Sequence, residues 1–400
     1  MGGTRQNADM KRKLVLATAL ASLALLTAPA SAAEDAFAWS QRYMIANGNS
    51  DATLLGATTE IASYSRLRTP EMHDLLAEVL VRIRDGEFQA DGAAVDIVRI
   101  LSAAPNGGRY HALFRSLRDM DKKSAMKAML SKYGNKFRKP VGEQFVAGKV
   151  NLDAMRKEFA AAALAAQPTM AQAQALSKLP KTATMDELFA TVGTPAHVVP
   201  RDTRAAQTQG GIDVRQIVFH YRGIGLTRYE FRRDEGWFPK DVIVDPLAFE
   251  SAMPYRKDAA ALGMPDDATL AMMQLVSGLP AAMRTSAMTV HRLDSPPREW
   301  LDTAAELLLR DYAKVSAPAE VDAYSWLCNV FAHHGGRRYA GVLAMVAKDA
   351  PDEKLQRYAK QIVYKREVEG GRYVPGSVSF ADQARKYPSL YPQIALADGR

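Results

Sequence analysis

Apolar residues recur at helical spacing over two long stretches of the chain, from residue 51 to about residue 134 and from residue 267 to about residue 363. In the first stretch Leu76, Leu80 and Ile83 lie at i, i+4 and i+7, so they share one face of a helix. The breaks between apolar runs are short and contain glycine and proline. Both stretches therefore predict consecutive short amphipathic helices that pack in pairs.

The middle of the chain changes from helical to alternating spacing. A short helix is predicted to begin at Met185 and to run into Gly193-Thr194-Pro195. Residues 214–221, 226–232 and 237–244 then alternate between apolar and polar, and turns containing glycine separate them. This pattern predicts a helix followed by a three-stranded antiparallel meander.

Three short segments of the helical stretches occur twice, in the same order. The match at residues 77–82 and 305–310, and the match of the Gly-Gly-Arg segments, share an offset of 228 residues. The matching pairs are Asp51-Ala52-Thr53-Leu54 with Asp267-Ala268-Thr269-Leu270, Ala77-Glu78-Val79-Leu80-Val81-Arg82 with Ala305-Glu306-Leu307-Leu308-Leu309-Arg310, and Gly107-Gly108-Arg109 with Gly335-Gly336-Arg337. One inserted residue, Arg338, then shifts Tyr110 onto Tyr339. We interpret the two stretches as diverged copies of one helical module.

Helical pairs of this size cannot bury their apolar faces alone, so they stack on one another. With roughly 40 residues in each pair, the two stretches resemble HEAT or armadillo-like helical repeats. A compact helical bundle would give the same periodicity and remains the alternative.

The middle segment also resembles a known family. Its helix ends in Gly193-Thr194-Pro195, an aromatic strand follows at Phe219-His220-Tyr221, and Tyr229-Glu230-Phe231 precedes an acidic turn with glycine. Residues 185–246 are in this respect similar to the SmpA/OmlA (BamE-like) domain of small outer-membrane assembly lipoproteins and related periplasmic binding modules. The resemblance implies a small α+β interaction module. The lipidated cysteine of the family's membrane proteins has no counterpart, because Cys328 is the only cysteine.

The first residues have the pattern of an export signal. Lys11, Arg12 and Lys13 precede an apolar run at 14–26, and the small residues Ala30-Ser31-Ala32 follow it. This order is typical of a signal peptide cleaved after about Ala32. The run is shorter than the roughly 20 residues that cross a bilayer. We therefore expect a periplasmic protein without a transmembrane segment, with secretion as the alternative.

These patterns together predict a mainly α protein with four regions. Residues 1–32 are a signal peptide, and residues 33–180 form a helical-repeat module that ends in an alanine-rich linker. Residues 181–250 form the SmpA/OmlA-like α+β module, and residues 251–400 form a second helical-repeat module with an irregular tail. Two α-solenoid-like modules would thus flank a small domain that contains the meander.

Charge narrows the range of partners only slightly. The formal net charge is +8, of which the predicted signal carries +3, so about +5 is left for the mature chain. Such a charge is compatible with peripheral contact with anionic lipid headgroups. No basic stripe with interleaved aromatic residues is present, so we do not expect a nucleic-acid partner.

Motifs typical of catalysis or metal binding occur without the companion residues that would complete a site. Ser124-Ala125-Met126-Lys127 matches S-x-x-K, but K-T-G and S-D-N companions are missing from the sequence. His333-His334 is the one adjacent histidine pair, and no acidic residue stands beside it at metal-ligand spacing. The sequence therefore predicts no catalytic residue, no cofactor and no metal site.

Both copies place arginine and tyrosine directly after a Gly-Gly break, and these residue types are frequent anchors of protein interfaces. We expect an interaction surface there, to which the central module adds an aromatic residue; its members are Arg109, Tyr110, Arg337, Arg338, Tyr339 and Trp237. The alternative is that the tyrosines pack across a helix pair while the arginines are solvated. The function predicted is a non-enzymatic scaffold that binds a protein or envelope component, with a hydrolase site in the cleft between the lobes as the alternative.

Overall fold

The computed structural model describes residues 35–118, 130–133, 137, 139–201, 215–232, 236–251, 265–361 and 371–391. Over these residues the chain is mainly helical and contains a small antiparallel sheet. The predicted signal peptide and the Ser124–Lys127 motif lie outside the described residues. Within them, no helix is both long enough and apolar enough to cross a membrane.

The first lobe, which comprises the described residues from 35 to 177, begins with helices that pack in sequential pairs. Its helices are α1 (Ala36–Asn47), α2 (Asp51–Ser63), α3 (Pro70–Arg84), α4 (Asp91–Ala103), α5 (His111–Arg118), α6 (Leu152–Ala165) and α7 (Met170–Ser177). Thr69 caps α3 by accepting a hydrogen bond from the amide of Met72, and Pro70 occupies the first helical position, where its missing amide costs nothing. A 3-10 turn at Gly107–Tyr110 leads from α4 into α5.

The sheet module (residues 185–243) follows the first lobe. Helix α8 (Met185–Val192) precedes the strands β1 (His197–Arg201), β2 (Arg215–Tyr221), β3 (Gly225–Arg232) and β4 (Gly236–Ile243), which pair antiparallel in the order β1-β2-β3-β4. The predicted three-stranded meander therefore lacks one strand of the sheet, β1. Strand β1 is short and contains Pro200, which is tolerated because β1 lies at the edge of the sheet.

The second lobe, which comprises the described residues from 265 to 391, is again helical. It contains α9 (Asp267–Val276), α10 (Pro280–His291), α11 (Arg298–Asp311), α12 (Pro318–His334), α13 (Ala340–Asp349), α14 (Glu353–Ala359) and α15 (Phe380–Lys386). A 3-10 turn at Gly336–Tyr339 leads from α12 into α13. It occupies the same place in the chain order as the turn at Gly107–Tyr110.

The buried apolar residues form two large cores. One core joins the first lobe to the sheet module, since Tyr43 and Leu76 belong to the same cluster as Phe219 and Tyr229. The other core lies in the second lobe around the fully buried Trp300. The first lobe and the sheet module are thus one packed unit, and Leu270, Met273 and Tyr391 of the second lobe belong to the same core.

Candidate functional site

In the first lobe, the predicted residues Arg109 and Tyr110 converge on one carboxylate. The guanidinium of Arg109 donates from Nε to Asp74 Oδ1 at 3.2 Å and from Nη2 to Asp74 Oδ2 at 2.8 Å. The hydroxyl of Tyr110, whose side chain is 1% exposed, donates to Asp74 Oδ1 at 2.9 Å. We call Asp74, Arg109 and Tyr110 the first bracket. A bidentate pair of this kind fixes both partners geometrically.

The first bracket holds a returning segment of chain against the lobe. The amide of Phe145 donates to the Arg109 carbonyl at 2.9 Å, and Arg109 Nη1 donates to the Glu143 carbonyl at 3.1 Å. One turn of α3 beyond Asp74, the carboxylate of Glu78 accepts from the amide of Gly148 at 2.8 Å. The segment therefore closes as a turn (residues 145–149, the first turn), which is fixed at both ends.

The second lobe repeats these contacts with other residues. Arg338 donates from Nε and Nη2 to Asp302 at 3.2 and 3.0 Å, and the buried hydroxyl of Tyr339 donates to Asp302 at 2.5 Å. The amide of Tyr373 donates to the Arg338 carbonyl at 2.9 Å, and the amide of Gly376 donates to Glu306 at 2.9 Å. Asp302, Arg338 and Tyr339 are the second bracket, and residues 373–377 are the second turn.

The two turns also share their shape. Gly148 and Gly376 have φ of +83° and +78°, a conformation in which glycine avoids a steric cost. The amide of Lys149 donates to the Val146 carbonyl at 3.3 Å, and that of Ser377 to the Val374 carbonyl at 3.1 Å. Each turn therefore presents one valine at its outer end. Val146 and Val374 are each 64% exposed.

The electrostatics of both brackets keep the tyrosines protonated. Burial is the main reason that the pKa of Tyr110 rises well above its ordinary value, and the adjacent Asp74 raises it further. For Tyr339, burial and the hydrogen bond to Asp302 raise the pKa in the same way. Both hydroxyls consequently remain hydrogen-bond donors at physiological pH.

The predicted correspondence between the two copies is wrong for one arginine. The repeated segments pair Arg109 with Arg337 and make Arg338 the inserted residue, whereas Arg338 makes the contacts that Arg109 makes. Arg337 is exposed and stands in its 3-10 turn at the position that Gly108 has in the first lobe. The match of residues 51–54 with 267–270 is also misleading, because the former begin α2, the second helix of the first lobe, and the latter begin α9, the first helix of the second lobe. The bracket arginines and tyrosines therefore correspond at an offset of 229 residues, whereas the acidic residues that they and the turns contact correspond at 228.

Trp237, the remaining member of the predicted surface, is half-buried. Its ring centroid lies 5.7 Å from that of Phe37 on α1 and 5.5 Å from that of Phe231 on β3. The indole therefore joins the sheet module to the first lobe. The rings of Tyr110 and Tyr339 are likewise packed inside, which corresponds to the packing alternative for the tyrosines. Binding by any of these six residues stays a prediction.

A signal that could have revealed both turns is present in the sequence. Phe145-Val146-Ala147-Gly148-Lys149-Val150 and Tyr373-Val374-Pro375-Gly376-Ser377-Val378 share an aromatic-V-x-G-x-V pattern at the same 228-residue offset. Asp74 and Asp302 also correspond at this offset, three residues before the matched segments at 77–82 and 305–310. The repeated segments do not include these aspartates, because the two residues between, Leu75-Leu76 in one copy and Thr303-Ala304 in the other, differ.

A second feature is a cavity of about 360 Å³ between the sheet module and the second lobe, which we call the interlobe cavity. Its polar groups on the sheet side are His220, Asp245 and Ser251. On the side of the second lobe, Arg284 and Asp322 line it and form an ion pair of 2.6 Å. The volume falls within the range of roughly 300–1,000 Å³ that is typical of ligand pockets.

Burial changes the proton affinity of two groups in the interlobe cavity. Asp245 is only 2% exposed, and desolvation raises its pKa to about 7. Desolvation lowers the pKa of His220 to about 4, so its imidazole is neutral at physiological pH. The cavity thus holds a carboxyl group near its titration point beside a neutral imidazole.

The chemistry available in the interlobe cavity is limited. Ser251 donates to the Leu247 carbonyl at 3.1 Å and accepts from Gln274 at 2.7 Å, so its hydroxyl is engaged away from His220. Among the described residues, no group of three or more His, Cys, Asp or Glu side chains could hold a metal ion. Cys328 lies outside the cavity, in the core of the second lobe, where burial raises the pKa of its thiol to about 12 and makes it a poor nucleophile.

No family model, curated protein or solved structure matches this chain.

Proposed function

We propose that the chain is a non-enzymatic binding protein of the cell envelope, exported by residues 1–32, in which both lobes engage one protein partner. In this proposal the lobes are diverged copies of one HEAT-like helical module. The sheet module between them is an SmpA/OmlA-like interaction module. The observation that carries the proposal is the exposed valine that each lobe presents on a turn held by the same bracket.

The preserved valines have no structural explanation within the lobes. A single exposed aliphatic side chain is ordinary on a protein surface. Here, however, Val146 and Val374 occupy corresponding positions, whereas buried positions nearby have changed, as from Met72 to Trp300. Burial or hydrogen bonding accounts for the other shared residues of brackets and turns, but these two side chains face solvent. Contact with a partner would explain why both copies keep valine.

The rigidity of the two turns that carry the valines also supports this proposal. Both turns are fixed by bonds to Glu78 or Glu306 and to a bracket arginine, so little conformational entropy remains to be lost on binding. The partner that fits is a protein with two shallow apolar pockets, each of which receives one valine. Arg109 and Arg338 then contribute by holding the turns in place.

The test is capture from an envelope extract with the wild-type protein, with Val146→Asp, with Val374→Asp and with the double variant. An exposed aspartate leaves the fold intact but places a charge in each apolar pocket, so we expect weaker capture by each single variant and loss by the double variant. Met345→Asp is the matched control, because Met345 is also apolar and 41% exposed. Full capture by the double variant would contradict the proposal.

A hydrolase site in the interlobe cavity is the second candidate, and the shifted pKa values of Asp245 and His220 favour it. Because Ser251 is engaged elsewhere, a water molecule would be the nucleophile and the Asp245 carboxylate, with its pKa of about 7, the general base. Hydrolysis of ester or peptide substrates that is lost in Asp245→Asn, with partner capture unchanged, would support this function. Equal turnover in wild type and variant would exclude it.

A further inference from the structure

The interlobe cavity has two buried hydrogen-bond acceptors on its sheet side. Asp245 is 2% exposed, and its Oδ1 accepts from the amide of Leu247 at 3.0 Å, whereas Oδ2 has no partner among the described residues. The imidazole of His220 donates one hydrogen bond to the backbone of Ala248. Its Nδ1 is therefore the unprotonated nitrogen, and this buried atom has no hydrogen-bond partner in the described part of the chain. Buried acceptors are normally paired, so these two indicate a ligand that donates hydrogen bonds.

A cation of the second lobe lines the same cavity. Arg284 on α10 pairs through Nε with Asp322 on α12 at 2.6 Å. Lys354 also binds Asp322, at 2.8 Å, so these three groups together carry one excess positive charge. The neighbouring pair of Arg228 with Asp241 adds no net charge. The second-lobe side of the cavity is therefore positive.

The two charged sides of the cavity do not neutralise each other. Among the described residues, no ion pair joins Asp245 to Arg284, although both line the cavity. The hydroxyls of Ser251 and Thr285 donate to backbone carbonyls, so neither is a donor to the buried acceptors. The other walls are apolar and consist of Leu226, Ile243, Ala248, Pro280, Ala281 and Ala319. A volume of about 360 Å³ is near the lower end of the range of roughly 300–1,000 Å³ for ligand pockets, which suits a small molecule.

We propose that the interlobe cavity binds a free α-amino acid with an apolar side chain. Its ammonium group donates to Asp245 and to His220 Nδ1, its carboxylate pairs with Arg284, and its side chain packs against the apolar walls. An ammonium group carries three donors and no acceptor, so it matches two buried acceptors. This binding requires neither turnover nor a protein partner. It is therefore separate from the valine turns and from hydrolysis.

The experiment is isothermal titration of the protein expressed from the full chain, with leucine and two analogues at pH 7. Leucinamide keeps the ammonium group but has an amide in place of the carboxylate, as the amino end of a peptide has; 4-methylpentanoate lacks the ammonium group. We expect leucinamide to bind about three- to fivefold more weakly than leucine, because the side chain of Arg284 is 44% exposed. 4-Methylpentanoate should bind at least about tenfold more weakly, because both buried acceptors stay unpaired.

Proton release provides a second readout, which tests the role of Asp245. The charged groups around Asp245 are Glu250 on the same segment and the pair of Arg284 with Asp322, whereas His220 is neutral at pH 7. Desolvation raises the pKa of Asp245 to about 7, and an ammonium ligand favours its carboxylate, so leucine should release about half a proton at pH 7. Titrations in phosphate and in Tris, which differ in ionisation enthalpy, measure this release. Asp245→Asn should abolish it and weaken leucine binding at least about tenfold.

Arg284→Gln tests the other side and assigns the ligand to this cavity. Asp245 also lines a cavity of about 200 Å³ beside α9, whereas Arg284 lines only the interlobe cavity of the two. Arg284→Gln should weaken leucine binding about three- to fivefold and leave leucinamide unchanged, because leucinamide has no carboxylate. Arg292→Gln, at an exposed arginine directly after the same helix, is the control.

The two variants keep the proposal testable if one of them fails to fold. Arg284 is partly exposed, so Arg284→Gln decides the question even where Asp245→Asn disturbs the buried segment. Absence of leucine binding would overturn the proposal. So would equal binding of leucine and 4-methylpentanoate, or equal leucine binding by the wild type and Arg284→Gln.

Discussion

Removing the carboxylate of the first bracket should release the first turn without unfolding the lobe. Asp74→Ala deletes the acceptor of two hydrogen bonds from Arg109 and one from Tyr110. Bonds to charged groups contribute about 1.5–3 kcal/mol each, but Asp74 and Arg109 are both 15% exposed, so water replaces part of the loss. We expect a cost of about 2–3 kcal/mol for local opening of the turn.

Hydrogen exchange of the turn amides measures this cost directly. The amides of Phe145 and Gly148 report on the bracket, because their acceptors are the Arg109 carbonyl and the Glu78 carboxylate. A cost of 2–3 kcal/mol corresponds to exchange roughly 30- to 150-fold faster. Asp85→Asn is the control. It removes an ion pair with Arg84 in which the aspartate is 50% exposed, and it should leave the exchange of the turn amides unchanged. Acceleration of less than about threefold in Asp74→Ala would refute the role assigned to the bracket.

Three further substitutions test other parts of the account. Gly376→Ala should cost about 1 kcal/mol in urea unfolding, because φ is +78° and no atom lies near the added Cβ. Gly225→Ala should cost more than about 3 kcal/mol, because its Cβ would lie 2.2 Å from the Ile243 carbonyl; the reverse order would contradict this explanation. Asp245 has a raised pKa, so the folded state binds its proton more tightly and stability falls as pH rises from about 4 to about 7. Asp245→Asn should lack this loss when the free energy of unfolding is measured at pH 4, 5.5 and 7.5. The same dependence on pH in both proteins would show that Asp245 is not buried as an acid.

Patterns that depend on local spacing were predictable. Residues 214–221, 226–232 and 237–244 alternate regularly, and they form β2, β3 and β4 with boundaries shifted by at most one residue. Strand β1 was not predictable in this way, because it has five residues and contains Pro200. Its place in the sheet depends on pairing with β2, a contact between segments that the spacing of residues in either one does not reveal.

The candidate site was predictable only in part, for a related reason. Glycine, arginine and tyrosine at the two breaks were visible as repeated residues, but their shared acceptors, Asp74 and Asp302, are 35 and 36 residues away from the arginines. The tyrosine rings also pack against rings that are distant in the sequence, Tyr110 against Phe145 and Tyr339 against Tyr373. The repeated residues were therefore visible in the sequence, whereas the contacts show that Arg109 and Arg338 hold the valine turns in place.

The most direct test of the central claim is photo-crosslinking from the two valine positions in intact cells. A photoreactive phenylalanine analogue replaces Val146 in one variant, Val374 in a second and the exposed Ala52 in a control. We expect positions 146 and 374 to crosslink to the same protein and position 52 to give no such adduct. Adducts with different proteins, or the same adduct from position 52, would contradict the claim that two lobes present equivalent turns to one partner.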